Sequence, residues 1–321
     1  IGVKHCISTN NGTDALVLAL KSLGVKKNDE VITVCNSFFA TAGSIVTCGA
    51  KPVFVDSDER YQIDINKIEK AITKKTKIIL PVHWGGASPN MKKIMEISKE
   101  NNLKVVEDAC MSIGANINGR RPGTFGNVNA FSMHPLKSLN VMGDGGMVVT
   151  NNDKIALWLK RYRNHGMIDR DRIFDWGDNK RLQPIQAVVA SIELKKVSSI
   201  VLKRNKNAKI LDQALSKIKS VEIPKRKKNY KETFALYMAK FKKRNKLRSY
   251  LMKNGIDVKI HYPIPLHLQK PSKALGYKRG DFPVAEKQAK ELLTLPVHQY
   301  LNHNQLNFII RKIKNFYQKN I

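Results

Sequence analysis

The sequence has few cysteines and no long apolar segment. Its cysteines show neither a C-x-x-C pair nor a histidine at zinc spacing; they are Cys6, Cys35, Cys48 and Cys110. We therefore expect free thiols, no metal site and a cytoplasmic protein. No apolar run approaches the roughly 18 residues that would span a bilayer. The first residues contain no basic, cleavable leader, so we expect neither an export signal nor a membrane partner.

Acidic residues are also scarce: 57 lysines and arginines face 26 aspartates and glutamates, which gives a net charge of +31. Such a charge raises nucleic-acid binding as a hypothesis. Against it, the lysines are spread along the whole chain, and no basic stretch interleaved with aromatic residues offers a platform for stacking bases. We expect no nucleic-acid partner, although a positive field would attract anionic, phosphorylated substrates.

The first part of the chain alternates apolar strand-like runs with helical ones. Strands that are apolar almost throughout, such as 30–34, 77–82 and 103–108, are typical of a parallel sheet covered on both faces. The pattern predicts an α/β fold: a three-layer, mostly parallel sheet with helices on both faces. In such folds ligands bind at the carboxyl ends of the strands.

The remainder of the chain has a different pattern. A long helical stretch over 184–217, broken near Ser198 and Ser199, is interpreted as a bridge to a smaller C-terminal α+β unit. We therefore predict two domains, 1–190 and 191–321. In the first, the isoleucines within 64–74 recur at helical spacing and predict a helix that Asp64 caps.

One predicted helix is suited to bind phosphate. It begins near Gly12, with Thr13 as the expected N-cap and Gly24 as its terminator. Free N–H groups and a positive dipole end favour an anion there. The alternative is an ordinary capped helix.

Lys137 lies between an apolar strand, 129–131, and the glycine-rich stretch 143–146, two residues after Pro135. A lysine held in such a turn can bind a carbonyl compound covalently. The alternative is a solvated surface charge. Asp108 ends another predicted strand, where it could act in a site or only cap a turn.

Six motifs occur in an order that closely resembles the DegT/DnrJ/EryC1/StrS family of pyridoxal-phosphate-dependent sugar aminotransferases, which have the type I aminotransferase fold. The resemblance covers nearly the whole chain. The motifs are Asn11-Gly12-Thr13-Asp14-Ala15-Leu16, Glu107-Asp108-Ala109, Gly123-Thr124-Phe125-Gly126, Phe131-Ser132 with Pro135 and Lys137, Gly143-Asp144-Gly145-Gly146, and His261-Tyr262-Pro263.

The resemblance implies a role for each matching residue. Lys137 would form the internal aldimine with pyridoxal 5'-phosphate and then move protons. Asp108 would pair with the pyridine nitrogen, which keeps the ring able to accept electrons. The phosphate would be held by the residues Gly12, Thr13, Asp14 and Ser132.

Two further residues gain roles from the resemblance. Phe38 falls where the family places an aromatic ring that stacks on the cofactor; the alternative is a core residue. Asn179 matches an asparagine that reaches the phosphate of the neighbouring subunit, which implies a homodimer with shared active sites. The resemblance also implies about forty further residues at the N-terminus, which in the family help to close the substrate site.

One cofactor-binding position departs from the family pattern. Met111 stands where the family has a glutamine near the phenolic oxygen of the cofactor, and a thioether hydrogen-bonds only weakly. A related dehydratase branch replaces the lysine by histidine, so Lys137 argues against that branch. We interpret the nearby His134 as structural.

The sequence therefore predicts a transaminase that moves an amino group from an amino acid to a keto sugar. Glutamate is the expected donor, and a nucleotide-linked sugar is the expected acceptor. Two alternatives stay open: a non-catalytic relative that binds the cofactor as a sensor or regulator, and a basic nucleic-acid binder.

Overall fold

A seven-stranded sheet forms the centre of the computed structural model, which describes residues 1–318. The strands in that range are β1 (His5–Thr9), β2 (Glu30–Val34), β3 (Lys51–Val55), β4 (Thr76–Leu80), β5 (Lys104–Asp108), β6 (Asn116–Ile117), β7 (Val128–Ser132), β8 (Gly146–Thr150), β9 (Val221–Glu222), β10 (Tyr230–Lys231), β11 (Tyr237–Phe241) and β12 (Leu292–Leu295).

Helices cover this sheet and continue into the C-terminal part. Those in the described range are α1 (Gly12–Ser22), α2 (Phe39–Thr47), α3 (Met91–Glu100), α4 (Asp153–Tyr162), α5 (Pro184–Leu194), α6 (Val197–Leu215), α7 (Arg244–Lys253), α8 (Pro283–Glu291) and α9 (His303–Gln318). No helix of residues 1–318 is long and apolar enough to cross a membrane.

The strand order of the central sheet is β1-β8-β7-β5-β4-β2-β3. Neighbouring strands from β7 to β3 run parallel, and β8 is antiparallel to both β7 and β1. Every residue of β2 is buried, as expected for a strand covered on both faces. The predicted α/β fold with a mostly parallel sheet is therefore confirmed.

The C-terminal part has its own antiparallel sheet, in the order β12-β11-β9. Leu247 and Leu251 of α7 and Ile313 of α9 belong to its buried core. A short pair, β6 with β10, joins this part to the first. The smaller α+β unit is thus present, and the division at residue 190 stays a prediction.

Two helix predictions are wrong in detail. The predicted helix over 64–74 is only a pair of 3-10 turns, Ile65–Lys67 and Glu69–Ala71. Asp64 does cap the first turn, but Thr73 donates its N–H to the Thr76 hydroxyl (2.8 Å) and the helix cannot continue.

The long helical stretch over 184–217 is interrupted near Lys195 and Lys196, between α5 and α6, and not at the serines. The Ser199 hydroxyl donates to the carbonyl of Lys196 (2.8 Å). That serine therefore lies within the first turn of α6 and satisfies a backbone group there.

A buried carboxylate fixes the region where β5 ends. Glu107 accepts hydrogen bonds from the N–H groups of Gly123, Phe125 and Gly126 at 2.7–2.8 Å. His83 Nε2 contacts the same carboxylate at 2.8 Å, and both side chains are fully buried. A Cβ on Gly126 would lie 2.2 Å from Asn129 Oδ1, so this loop packs closely on β7. The charge of Glu107 is thus offset by four hydrogen bonds.

We predict that Glu107→Gln will destabilise the fold strongly, because the amide would turn an N–H donor toward other donors. Losing one partner of a buried charged pair costs about 3–5 kcal/mol. Urea unfolding measures this loss, and Glu96→Gln on the exposed face of α3 is the control. Equal unfolding midpoints for the two variants would contradict this role.

Candidate active site

Asp108 ends β5 with its side chain buried at 5% exposure. Its Oδ2 accepts a hydrogen bond from Thr41 Oγ1 (2.8 Å), and its Oδ1 accepts one from the N–H of Cys110 (3.2 Å). The Thr41 hydroxyl is also 2.8 Å from that of Ser37. Since Thr41 donates to the carboxylate, Ser37 donates to Thr41. These contacts hold a carboxylate in one orientation at the strand end.

Lys137 lies close to the same position. Its N–H donates to the carbonyl of His134 (2.8 Å), which closes the turn after β7. Burial raises the pKa of the Cys110 thiol well above its usual range; Asp108 raises it further, and the Lys137 charge opposes this. The charges of Asp108 and Lys137 therefore both act on the Cys110 thiol. β5 and β7 pair in parallel, with Asp108 opposite Ala130, so Asp108 and the turn that holds Lys137 lie at the same edge of the sheet.

The N-terminus of α1 meets the end of β7. A Cβ added at Gly12 would lie 2.7 Å from the Cβ of Ser132, so only glycine allows this approach. Within residues 1–318, the N–H groups of Gly12 and Thr13 have no hydrogen-bond partner. Two free amides, a helix dipole and the nearby Ser132 hydroxyl suit a phosphate group. The residues present thus fit the phosphate end of the expected cofactor.

The cap of this helix differs from the prediction. Asn11, and not Thr13, is the N-cap: its Oδ1 accepts the N–H of Asp14 at 2.7 Å. The Asp14 carboxylate is engaged by Asn11 Nδ2 (3.0 Å) and Lys180 Nζ (2.5 Å). Asp14 therefore stabilises the first turn of α1, and its backbone N–H already donates to Asn11 Oδ1. Its predicted phosphate contact stays a prediction.

Aromatic residues cluster beside these groups. Phe38 is 47% exposed, as a ring available to a ligand would be, and is not a core residue. Its ring centre lies 5.5 Å from that of Phe39 and 6.2 Å from that of Tyr262. Tyr262 also contacts the buried Trp84 at 5.6 Å. The motif 261–263 thus reaches the first part of the chain, a contact that the sequence did not predict.

The imidazole of His261, the residue before Tyr262, is fixed by a hydrogen bond between its Nδ1 and the hydroxyl of Thr294 (2.9 Å). Burial lowers the pKa of His261 to about 4, and the charges of Lys137 and Lys259 act in the same direction. The imidazole is therefore neutral at neutral pH, and it lies within the field of Lys137.

The contacts of Met111 and His134 are with the protein's own core and backbone. Met111 packs its side chain against the main core, and its carbonyl accepts the Thr233 hydroxyl at 2.6 Å. His134 Nδ1 accepts the N–H of Leu136 (3.2 Å) within the lysine turn. This geometry agrees with a structural role for His134.

Asn179 lies in an exposed loop rather than beside Asp108. Its Oδ1 accepts a hydrogen bond from Arg181 Nε at 2.9 Å.

The following helix, α5, is apolar but has no buried residue. Its exposed apolar residues, with those of the loop before it, are Ile168, Ile173, Phe174, Trp176, Ile185, Val188, Ile192 and Leu194. An apolar face of this extent is typical of a protein interface.

Solved structures with the same fold indicate the class of protein. The crystal structure of Streptomyces venezuelae DesV in complex with a ketimine intermediate matches with a TM-score of 0.95 at 34% identity; the match covers 98% of this chain and 85% of DesV. The structure of Bacillus subtilis NtdA with bound cofactor PMP matches with a TM-score of 0.90 at 28% identity. That match covers 98% of this chain and 73% of NtdA. The fold is that of a pyridoxal-phosphate-dependent aminotransferase.

The sequence comparisons then give the family. The model of the DegT/DnrJ/EryC1/StrS aminotransferase family matches residues 1–314, and the chain belongs to this family. A pleiotropic regulatory protein of Geobacillus stearothermophilus is 40% identical, over 98% of this chain and 86% of its own length. A dTDP-3-amino-3,4,6-trideoxy-alpha-D-glucose transaminase of Micromonospora megalomicea is 35% identical, over 98% of this chain and 85% of its own length.

We predict that His261 makes stability depend on pH between its folded pKa, about 4, and its usual value, 6.5. In this pH range His261 is protonated in the unfolded chain but not in the folded one. The free energy of unfolding therefore falls on acidification by at most about 1.4 kcal/mol per pH unit. Urea unfolding across this range measures the slope. His261→Gln should flatten it, whereas His303→Gln at the exposed start of α9 should not; identical slopes in all three proteins would contradict the assignment.

Proposed function

We propose that the protein transfers an amino group from an amino acid, with glutamate as the donor, to a keto sugar carried on a nucleotide. The convergence of Asp108 and Lys137 near a phosphate cradle at the ends of parallel strands carries this proposal. Relatives support the substrate class. They include a UDP-N-acetyl-3-dehydro-alpha-D-glucosamine 3-aminotransferase of Acidithiobacillus ferrooxidans, 37% identical. The net charge of +31 favours such anionic substrates.

Bound pyridoxal phosphate supplies the electron sink that amino-group transfer requires. Asp108, oriented by Thr41 and Cys110, would hold a proton on the ring nitrogen. Lys137 would attach the cofactor covalently through its Nζ and, when released, would move a proton at the substrate carbon.

The remaining predicted residues would bind rather than react. Gly12 and Thr13 would donate their free N–H groups to the phosphate, and Ser132 would add its hydroxyl. Phe38 would cover one face of the ring with its exposed side chain. Met111 offers only apolar contact where the family has a glutamine, so its side chain would orient the cofactor by packing alone.

The active unit in this proposal is a homodimer. The apolar face of α5, together with the loop before it, would bind the same face of a second copy. Asn179 belongs to that loop and would reach the phosphate in the partner's site. This arrangement accounts for an asparagine that is exposed in the single chain.

A second candidate function is a regulator that binds the cofactor without transferring an amino group. The name of the 40% identical relative, a pleiotropic regulatory protein, favours it. Asp108 with its hydrogen bonds argues for retained chemistry, because a sensor has no need of a group that keeps the ring nitrogen protonated.

We predict that the protein with pyridoxal phosphate will show the absorption band of the lysine-bound cofactor, and that glutamate will convert it to the pyridoxamine form. Lys137→Ala should abolish the band, and Asp108→Asn should slow the conversion by about 10²–10³-fold, the range for loss of one preorganised electrostatic contact. Stopped-flow spectroscopy measures both.

Lys160→Ala, at an exposed position of α4, is the control and should behave as the wild type. A lysine-bound band that survives in Lys137→Ala would refute the assignment of that residue. A normal band that no amino donor converts would support the regulator instead.

We predict that the double variant Ile185→Asp, Ile192→Asp will be a monomer with little activity, because two charges would be buried in the apolar contact between subunits. Analytical ultracentrifugation measures the association. Met252→Asp, at an exposed apolar position on α7, should leave the dimer intact. A double variant that still sediments as a dimer would show that α5 is not the interface.

A further inference from the structure

Lys180 is fixed at three points close to the N-terminus of α1. Its Nζ lies 2.5 Å from Asp14 Oδ1, its carbonyl accepts the N–H of Asn10 (3.2 Å), and its own N–H donates to the carbonyl of Arg163 (2.9 Å). The side chains of Asp14 and Lys180 are only 17% and 18% exposed, so this is not a solvated surface pair. The contact joins residues that are 166 positions apart.

The carboxylate needs this partner because of its position. Asp14 belongs to the first turn of α1, two residues from the free amide of Gly12. An unpaired carboxylate there would repel an incoming phosphate and would cancel part of the helix dipole that favours it. Asn11 Nδ2 donates to Oδ2 without bringing a positive charge. Within residues 1–318, the ion pair of Asp14 is with Lys180, whose Nζ also lies 3.8 Å from the carboxylate of Asp178.

The backbone contacts of Lys180 act on its neighbour. Asn179 precedes it directly, and the bonds to Asn10 and Arg163 fix the chain at that point. The same residue therefore links the cradle of one site to the loop that would serve the partner's site.

We propose that Lys180 is a positioning residue of the cofactor site, which neutralises Asp14 beside the phosphate cradle and fixes the backbone that presents Asn179. This inference rests on the proposed function, since it assumes that the α1 cradle holds the cofactor phosphate. It adds a residue to which the sequence motifs gave no role.

The test is the affinity of the cofactor-free enzyme for pyridoxal phosphate, with pyridoxal as the probe that lacks the phosphate. Lys180→Met keeps the length of the side chain but removes its charge. We expect it to weaken pyridoxal phosphate binding by about tenfold or more, a factor that corresponds to about 1.4 kcal/mol. Binding of pyridoxal should be unchanged.

Lys180→Arg should bind as the wild type does. The double variant Asp14→Asn, Lys180→Met should recover most of the lost affinity, because it also removes the carboxylate of Asp14 from the first turn of α1. Lys21→Met removes a lysine at the opposite end of α1, where it contacts the Tyr162 hydroxyl at 2.7 Å, and is the matched control.

Two outcomes would overturn the inference while the wild type still binds the cofactor. One is unchanged pyridoxal phosphate affinity in Lys180→Met. The other is equal weakening of pyridoxal and pyridoxal phosphate with no recovery in the double variant, which indicates a merely structural contact. A wild type that binds no pyridoxal phosphate would instead refute the proposed function itself.

Discussion

The structure depends on one buried carboxylate, that of Glu107. A charge in a dry interior is tolerable only when it is fully hydrogen-bonded, and Glu107 is bound by three backbone N–H groups and by His83. These bonds fix the end of β5 and the loop 123–126 together. Because successive side chains of a strand point to opposite faces, the next residue, Asp108, is directed to the other side, where Thr41 orients it. A rigid structural carboxylate thus positions a functional one.

The site is built from segments that are distant in sequence but end at one edge of the sheet. The Asp108–Thr41 contact joins residues 67 positions apart, and Tyr262 brings the C-terminal part against Phe39 and Trp84. Parallel strands present their carboxyl ends to the same side, so the turn that holds Lys137 and the start of α1 meet there. Membership of the aminotransferase family is consistent with this convergence.

Local chemistry made much of this predictable. Uninterrupted apolar strands indicated a buried parallel sheet, and a polar, glycine-rich start indicated α1. The failures are those in which side chains compete for the backbone. Asn11 captures the N–H of Asp14 and displaces Thr13 as the cap, and Thr76 takes the N–H of Thr73 and ends the helix predicted over 64–74. Long-range partners such as Thr41 for Asp108 and Lys180 for Asp14 have no signal in spacing, because only the folded chain brings them together.

The central claim is that Lys137, among the many lysines of this basic chain, is the residue that binds the cofactor. Reduction of the protein with borohydride in the presence of pyridoxal phosphate, followed by peptide mass spectrometry, tests it directly. The account predicts a single stoichiometric phosphopyridoxyl group on Lys137. A label on another lysine, or scattered partial labelling with Lys137 unmodified, would contradict it.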